Sequence, residues 1–187
     1  MSFCIQNKVL KIEQKIPLKL VIFGDGGVGK TTLIRKFVTK VFEKDIKMTI
    51  GADFSVKNIT LENQTITLRI WDFAGEERFR VLLPAFAKGA HGGIFMFDLT
   101  RYSSIKNIED WLSIFEYFVS EKTTKIPIII VGGKSDLEEK RSVNVEEVSK
   151  LSNKYDFKGQ FECSSKTGKG VEEVFHFIAQ KMVEKKK

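Results

Sequence analysis

The sequence predicts an α/β fold of three layers, with a six-stranded, mostly parallel sheet and one antiparallel edge strand held between helices. Two observations carry that expectation. Short apolar runs alternate with segments whose apolar residues recur at helical spacing, the order that lays crossover helices on both faces of a parallel sheet. One segment breaks the alternation: two strand-like runs meet at Glu62-Asn63-Gln64, which predicts a hairpin at one sheet edge.

The elements follow in order. Leu18–Phe23 is a short apolar strand ended by Gly24, and after a glycine-rich stretch Leu33, Ile34, Phe37, Val38 and Val41 mark one helical face. The hairpin pairs a strand from about Phe54 to Leu61 with one in which Ile66, Leu68 and Ile70 alternate with Thr67 and Arg69. Ile94–Leu99 is a strand, and Ile105, Ile108, Leu112, Phe115 and Val119 form the next helical face. Ile126–Val131 is a wholly apolar strand with Pro127 near its start, where a missing donor is tolerated. Val143–Leu151 reads as helix and Gln160–Cys163 as strand, and Val171, Val174, Phe175, Ile178 and Met182 make a last amphipathic face.

A chain of 187 residues with 42% hydrophobic content supports one domain, here residues 17–183, with an extension 1–16 and a basic tail 184–187. Val9, Leu10, Ile12 and Ile16 give the extension a partly apolar character that suits packing on the domain. No apolar run approaches the roughly 20 residues that cross a bilayer. Lys8, Lys11, Glu13 and Lys15 interrupt any signal-like stretch, Ser2 replaces the glycine that myristoylation needs, and no cysteine near the C-terminus offers a prenyl site. The expectation is a cytoplasmic protein. Cys4 and Cys163 are too far apart for a close-spaced metal or redox motif, and His91 and His176 have no acidic or thiol cluster near them in sequence. The net charge of +7 comes mostly from lysines spread along the chain. Only Lys181, Lys185, Lys186 and Lys187 are concentrated, and no aromatic-and-basic module for nucleic acid is visible.

Gly24–Thr31 reads Gly-Asp-Gly-Gly-Val-Gly-Lys-Thr between a strand and a helix. Backbone N–H groups in such a turn surround phosphate oxygens, and side chains there would block the approach. Gly26, Gly27, Val28, Gly29, Lys30, Thr31 and Thr32 are the candidate nucleotide-binding stretch, with Lys30 on the β- and γ-phosphates and the Thr31 hydroxyl on Mg²⁺. The loop alone does not separate ATP from GTP. Asp72 ends an apolar strand, where a carboxylate can hold Mg²⁺, and Gly75 can bring its N–H to the γ-phosphate. Lys134-Ser135-Asp136 follows the fifth strand; Asp136 can accept two hydrogen bonds from the N1–H and N2–H₂ edge of guanine, and the Lys134 stem can lie along the base. Ser164, Ser165 and Lys166, after the sixth strand, can offer backbone N–H groups to the base oxygen.

With those motifs in order and spacing, residues 17–183 resemble a Ras-superfamily small GTPase of the Rab branch, which implies the P-loop GTPase fold. Thr49-Ile50-Gly51-Ala52-Asp53-Phe54 resembles the Rab switch I segment, Trp71–Arg80 its switch II, and Gly89-Ala90-His91-Gly92 also matches. The resemblance implies Thr49 on Mg²⁺ and the γ-phosphate, Phe42 stacked on guanine, and Phe54, Trp71 and Phe86 on an aromatic surface that meets effectors. Plain packing is the competing account of those three aromatics. Exchange factors and activating proteins are implied as regulators, and an activating partner would add an arginine, since none in the chain is obviously placed for it.

The sequence departs from the family at four positions. Glu76 stands where a glutamine orients the attacking water, Gly133 where an asparagine braces the base site, Ser165 where an alanine is usual, and Phe73 where a threonine is usual. Glu76 beside an anionic γ-phosphate predicts either slow hydrolysis, with Glu76, Lys30 and Gly75 at the reacting group, or a GTP-bound scaffold with little hydrolysis. A P-loop ATPase or small-molecule kinase is the remaining alternative, disfavoured by Lys134, Asp136 and the Thr49 segment. Without a C-terminal cysteine, Lys185-Lys186-Lys187 are expected to form a solvated helix end, with a weak peripheral membrane association as the alternative; a truncated C-terminus, or a host without prenylation such as an archaeon, would account for the missing cysteine.

Overall fold

The strand ahead of the glycine loop is β1, Ile16–Phe23, and its last four residues are buried because strands flank it on both sides. A computed structural model of the chain describes residues 15–44, 46–119 and 125–186. The packing expected of Val9, Leu10 and Ile12, together with Cys4 and Lys187, lies outside the described residues.

Five further strands complete one sheet: β2 (Ala52–Leu61), β3 (Gln64–Phe73), β4 (Gly92–Asp98), β5 (Ile128–Gly133) and β6 (Gln160–Glu162), in the order β2-β3-β1-β4-β5-β6. The β2–β3 pairing is antiparallel and the others are parallel. The edge hairpin turns on Glu62 and Asn63, both with positive φ, so Gln64 opens β3 opposite Leu61 instead of sitting in the turn. β4 and β5 are buried at every residue, which is why they read as unbroken apolar runs.

Among the described residues, six α-helices follow the α/β alternation: α1 (Lys30–Thr39), α2 (Leu83–Ala87), α3 (Ser103–Lys106), α4 (Ile108–Val119), α5 (Val145–Lys154) and α6 (Val171–Lys186). α1 and α6 cover one face, where the Phe37 and Phe175 rings stack with centroids 3.9 Å apart. α2 through α5 cover the other face around Trp111, Phe115 and the β-strand phenylalanines.

Several boundaries differ from the sequence expectation. α1 stops at Thr39 because Lys40 turns into the left-handed region, and this leaves Val41 57% exposed instead of on the buried face. The face from Ile105 to Phe115 is buried as expected but broken at Asn107, and the side chain of Val119 lies outside the described ones. Pro127 falls just before β5. Val143 is buried but precedes α5, whose start is fixed by Asn144 accepting from the Glu147 N–H at 2.8 Å. α6 runs on through Lys186, so residues 184–186 are helical.

The sheet order places the functional loops. The chain leaves β1 toward β3 and β2 on one side, and continues from β4 toward β5 and β6 on the other. Ligands of such sheets bind at the carboxyl ends of strands near that reversal.

Candidate functional site

The loop between β1 and α1 is built around its glycines. Gly24 has φ 135°, and a Cβ there would lie 2.1 Å from the Met96 carbonyl oxygen. Gly29 caps α1 at φ 103° with no side-chain hydrogen bond to the first turn. The first-turn N–H groups lack intrahelical acceptors and carry the positive end of the helix dipole. Lys30 is only 6% exposed, and its Nζ donates to the carbonyls of Gly24 and Asp25, both at 2.8 Å. Burial pushes its pKa down to about 8 against the pull of Asp72 and Asp25, and the two carbonyls hold the Nζ against the loop.

Three oxygens converge beside it. Thr31 Oγ1 donates to Asp72 Oδ2 at 2.5 Å, stands 2.8 Å from Thr49 Oγ1, and Thr49 Oγ1 reaches the same carboxylate oxygen at 3.3 Å. Burial raises the Asp72 pKa, opposed by the Thr31 hydrogen bond and the Lys30 charge. The other carboxylate oxygen, Oδ1, is buried with no hydrogen-bond partner. An orphaned buried carboxylate oxygen among two hydroxyls is the hard-oxygen set that Mg²⁺ takes. Gly75 packs on the loop so closely that a Cβ would fall 2.2 Å from Gly26 N. Glu76 follows, its Oε2 at 2.6 Å from Arg78 Nε.

Two adjoining cavities run along these residues and share Gly29, Thr32, Lys44 and Lys134 in their walls. The first, about 290 Å³, is bounded by Gly26, Gly27, Lys30, Thr31, Thr49, Gly75 and Glu76. The second, about 250 Å³, is bounded by Val28, Phe42, Met96, Asp136, Ser165 and Lys166. Asp136 is held by Ser164, whose hydroxyl donates to Oδ1 at 2.6 Å. Ser164 thereby differs from its expected part: its backbone N–H is spent on the Lys169 carbonyl at 2.9 Å, and it positions Asp136 from behind. Lys134 has φ 65° and its Nζ bonds Asp98 Oδ2 at 2.6 Å. Burial alone would raise the Asp98 pKa, but hydrogen bonds from Lys134 and Thr100 outweigh this and hold it below the usual carboxylate range.

Phe54, Trp71 and Phe86 form one row, with ring centroids 5.0 and 5.3 Å apart. Phe54 is exposed at one end and the other two are half-buried. Phe73 is fully buried and tilted against Phe86, which gives its departure from threonine a packing reason. His91 accepts from the Lys19 N–H and returns its own N–H to the Lys19 carbonyl, a structural tie. No cluster of three or more His, Cys, Asp or Glu that could hold a metal exists among the described residues, and no described helix is long and apolar enough to cross a membrane.

Three contacts were not read from the sequence. Arg101 donates to the Gly26 carbonyl at 2.6 Å, so an internal arginine does reach the phosphate loop. Asp25 accepts from Trp111 Nε1 at 2.8 Å and Asn107 Nδ2 at 3.1 Å, with Arg80 3.5 Å away. Met96 lines the second cavity. Each joins residues far apart in sequence, and only the position of Asp25 inside the glycine loop could have marked one of them.

The model of the Ras family matches residues 19–184. The chain is 38% identical to the Ras-related protein Rab-8B of Bos taurus, over 89% of the chain and 79% of that protein. It is 40% identical to the Ras-related protein RABE1e of Arabidopsis thaliana, over 87% of the chain and 73% of that protein. It is 34% identical to the Ras-related protein Rab-19 of Homo sapiens, over 88% of the chain and 75% of that protein.

Proposed function

The chain belongs to the Ras family as a Rab-like, guanine-nucleotide-binding small GTPase, and from that premise we propose that it is a slow, Mg²⁺-dependent switch whose two adjoining cavities take the phosphates and the base. The observation that carries this is their common wall. Thr31, Thr49 and Asp72 gather at one end, Asp136 is fixed by Ser164 at the other, and Gly29, Thr32 and Lys134 belong to both. In this reading Phe42, Lys134, Ser165 and Lys166 enclose the base, and Asp136 accepts from its amidine-like edge.

Thr31, Thr49 and Asp72 would hold Mg²⁺, which when bound neutralises charge on the β- and γ-phosphates. Lys30 and the N–H groups of residues 26–32 steady the γ-phosphate, and the Gly75 N–H adds a further donor. Glu76 accepts a hydrogen bond from the attacking water. The new bond forms between that water oxygen and the γ-phosphorus, and the bond to the β–γ bridging oxygen breaks. GDP leaves with the electron pair, and the water's protons pass to phosphate and solvent.

The Arg78–Glu76 ion pair favours a second reading, a GTP-bound scaffold, because it engages the group that would orient water. Phe54, Trp71 and Phe86 serve effector contact in either case, with exchange and activating proteins as regulators and a weak electrostatic membrane contact through the basic end of α6.

Mass spectrometry of nucleotide released from the purified protein, followed by timed GTP turnover, tests the proposal. GDP or GTP with slow phosphate release is expected. Bound GTP with no phosphate above buffer over many hours selects the scaffold, and bound ADP or ATP overturns guanine recognition.

A further inference from the structure

Gly133 ends β5, one residue before Lys134, and lies opposite Asp98 on β4. A Cβ at this position would stand 2.6 Å from Met96 Cε and 3.1 Å from the Val28 carbonyl oxygen. Met96 is 1% exposed, and its methyl group also lies 3.7 Å from where a Cβ on Gly29 would be. The methionine end therefore fills the space between the phosphate loop and the end of β5 that any side chain at 133 would need. Met96 also lines the cavity that holds Asp136 and Phe42.

We infer that Met96 and Gly133 are a single packing unit and that Met96 forms the inner wall of the base cavity, setting how tightly and how selectively a purine nucleotide is held. This deepens the proposed function and rests on it. A thioether is flexible and polarizable, so it presents an apolar, adaptable surface to a purine edge where an amide would present a donor and an acceptor. The sign of substitution follows from what can yield. The Val28 carbonyl is backbone and cannot move without shifting the phosphate loop. The methionine methyl can move, and the cavity is the open direction. A side chain added at 133 therefore drives the methyl into the base site, and asparagine there weakens binding as long as Met96 remains.

The experiment is a four-member cycle of unmutated protein, G133N, M96V and M96V/G133N. GDP dissociation rates and the GDP-to-ADP affinity ratio are read for each, with circular dichroism as the fold control. G133N alone is expected to release GDP roughly tenfold faster and to lower the ratio. Shortening Met96 removes the contact with its methyl, the closer of the two, so M96V/G133N should hold GDP tighter than either single variant. If G133N does not fold, G133A carries the same clash with the smallest side chain and is expected to speed release. Tighter GDP binding by G133N alone, additive effects, or a change in thermal stability with an unchanged ratio would overturn the inference while leaving the base site intact. An unmutated protein that does not prefer GDP over ADP overturns the proposed function as well.

Discussion

Asp136 has one oxygen committed to a fully buried serine hydroxyl, so its direction is fixed before any ligand arrives. Hydrogen bonds to a charged acceptor contribute about 1.5–3 kcal/mol. D136A is therefore expected to weaken GDP binding by roughly 10- to 100-fold and to bring the GDP-to-ADP ratio near one. S164A should cost less, roughly fivefold in GDP affinity, because the Asp136 carboxylate stays and loses only its orienting donor, with the ratio partly kept. Competition binding against labelled GDP measures both, and an unchanged ratio in D136A would count against guanine recognition. Cys163 allows a separate check of burial. Its thiol is pushed up to about 12 by desolvation and by nearby Glu162, so almost none is thiolate near neutrality. Iodoacetamide at mildly alkaline pH should leave Cys163 unmodified in the folded protein and label it in urea, as read by peptide mass spectrometry. Stoichiometric labelling of the folded chain would contradict the packed floor under Ser164. The candidate site could be outlined residue by residue, because Lys30, Thr31 and Asp136 each come a short interval after an apolar strand and Asp72 lies at the end of one. One sequence does not reveal that the Ser164 N–H is bonded to the Lys169 carbonyl while its hydroxyl holds Asp136.

Between elements, the phosphate loop is tied to α4 and to the turn after β3 through Asp25. Trp111 on α4 and Asn107 before it both donate to that carboxylate, and the Arg80 guanidinium lies 4.6 Å from the Trp111 ring. Trp111 is fully buried, so W111F leaves the packing mostly filled but removes the indole donor. That change is expected to destabilise the protein by about 1–3 kcal/mol and to speed GDP release, because the loop loses an anchor. Chemical denaturation and stopped-flow release give the two readouts; unchanged release with lowered stability would mean that α4 does not steady the loop. The elements themselves were legible to different degrees. Strands β4 and β5 stood out because both faces are buried, and α6 because its apolar stripe meets a single sheet face. The end of α1 and the break at Asn107 did not stand out. A left-handed Lys40 and a pause between Lys106 and Ile108 interrupt continuous apolar periodicity without glycine or proline to mark them. The Asp25, Arg101 and Met96 contacts stayed hidden for a related reason: each depends on two loops or strands meeting, as Arg101 and Gly26 do across 75 residues.

For the molecule as a whole, the ligand cleft is the place where both halves of the sheet meet. The first cavity is lined from the β1–α1 loop, the start of α1, the segment before β2 and the turn after β3; the second also draws on β4 and on the loops after α1, β5 and β6. A nucleotide spanning the cleft would link these halves, whereas the folded chain alone leaves Asp72 Oδ1 buried and unpartnered. Binding confined to the folded state stabilises it by mass action, about 2.7 kcal/mol at a ligand concentration one hundred times Kd. For a domain of this size each kcal/mol moves Tm by roughly 2–4 °C. GDP with Mg²⁺ should therefore raise Tm by about 5–10 °C over nucleotide-free protein, and chelating the metal should reverse part of that shift. ADP at the same concentration should produce little shift, because it leaves Asp136 without its paired donors. Differential scanning fluorimetry with GDP, ADP and chelator separates the contributions of the two ends. An equal shift with ADP would mean that the phosphate loop alone holds the ligand. A GDP shift indifferent to chelation would mean that the oxygens of Thr31, Thr49 and Asp72 serve the fold and not a metal.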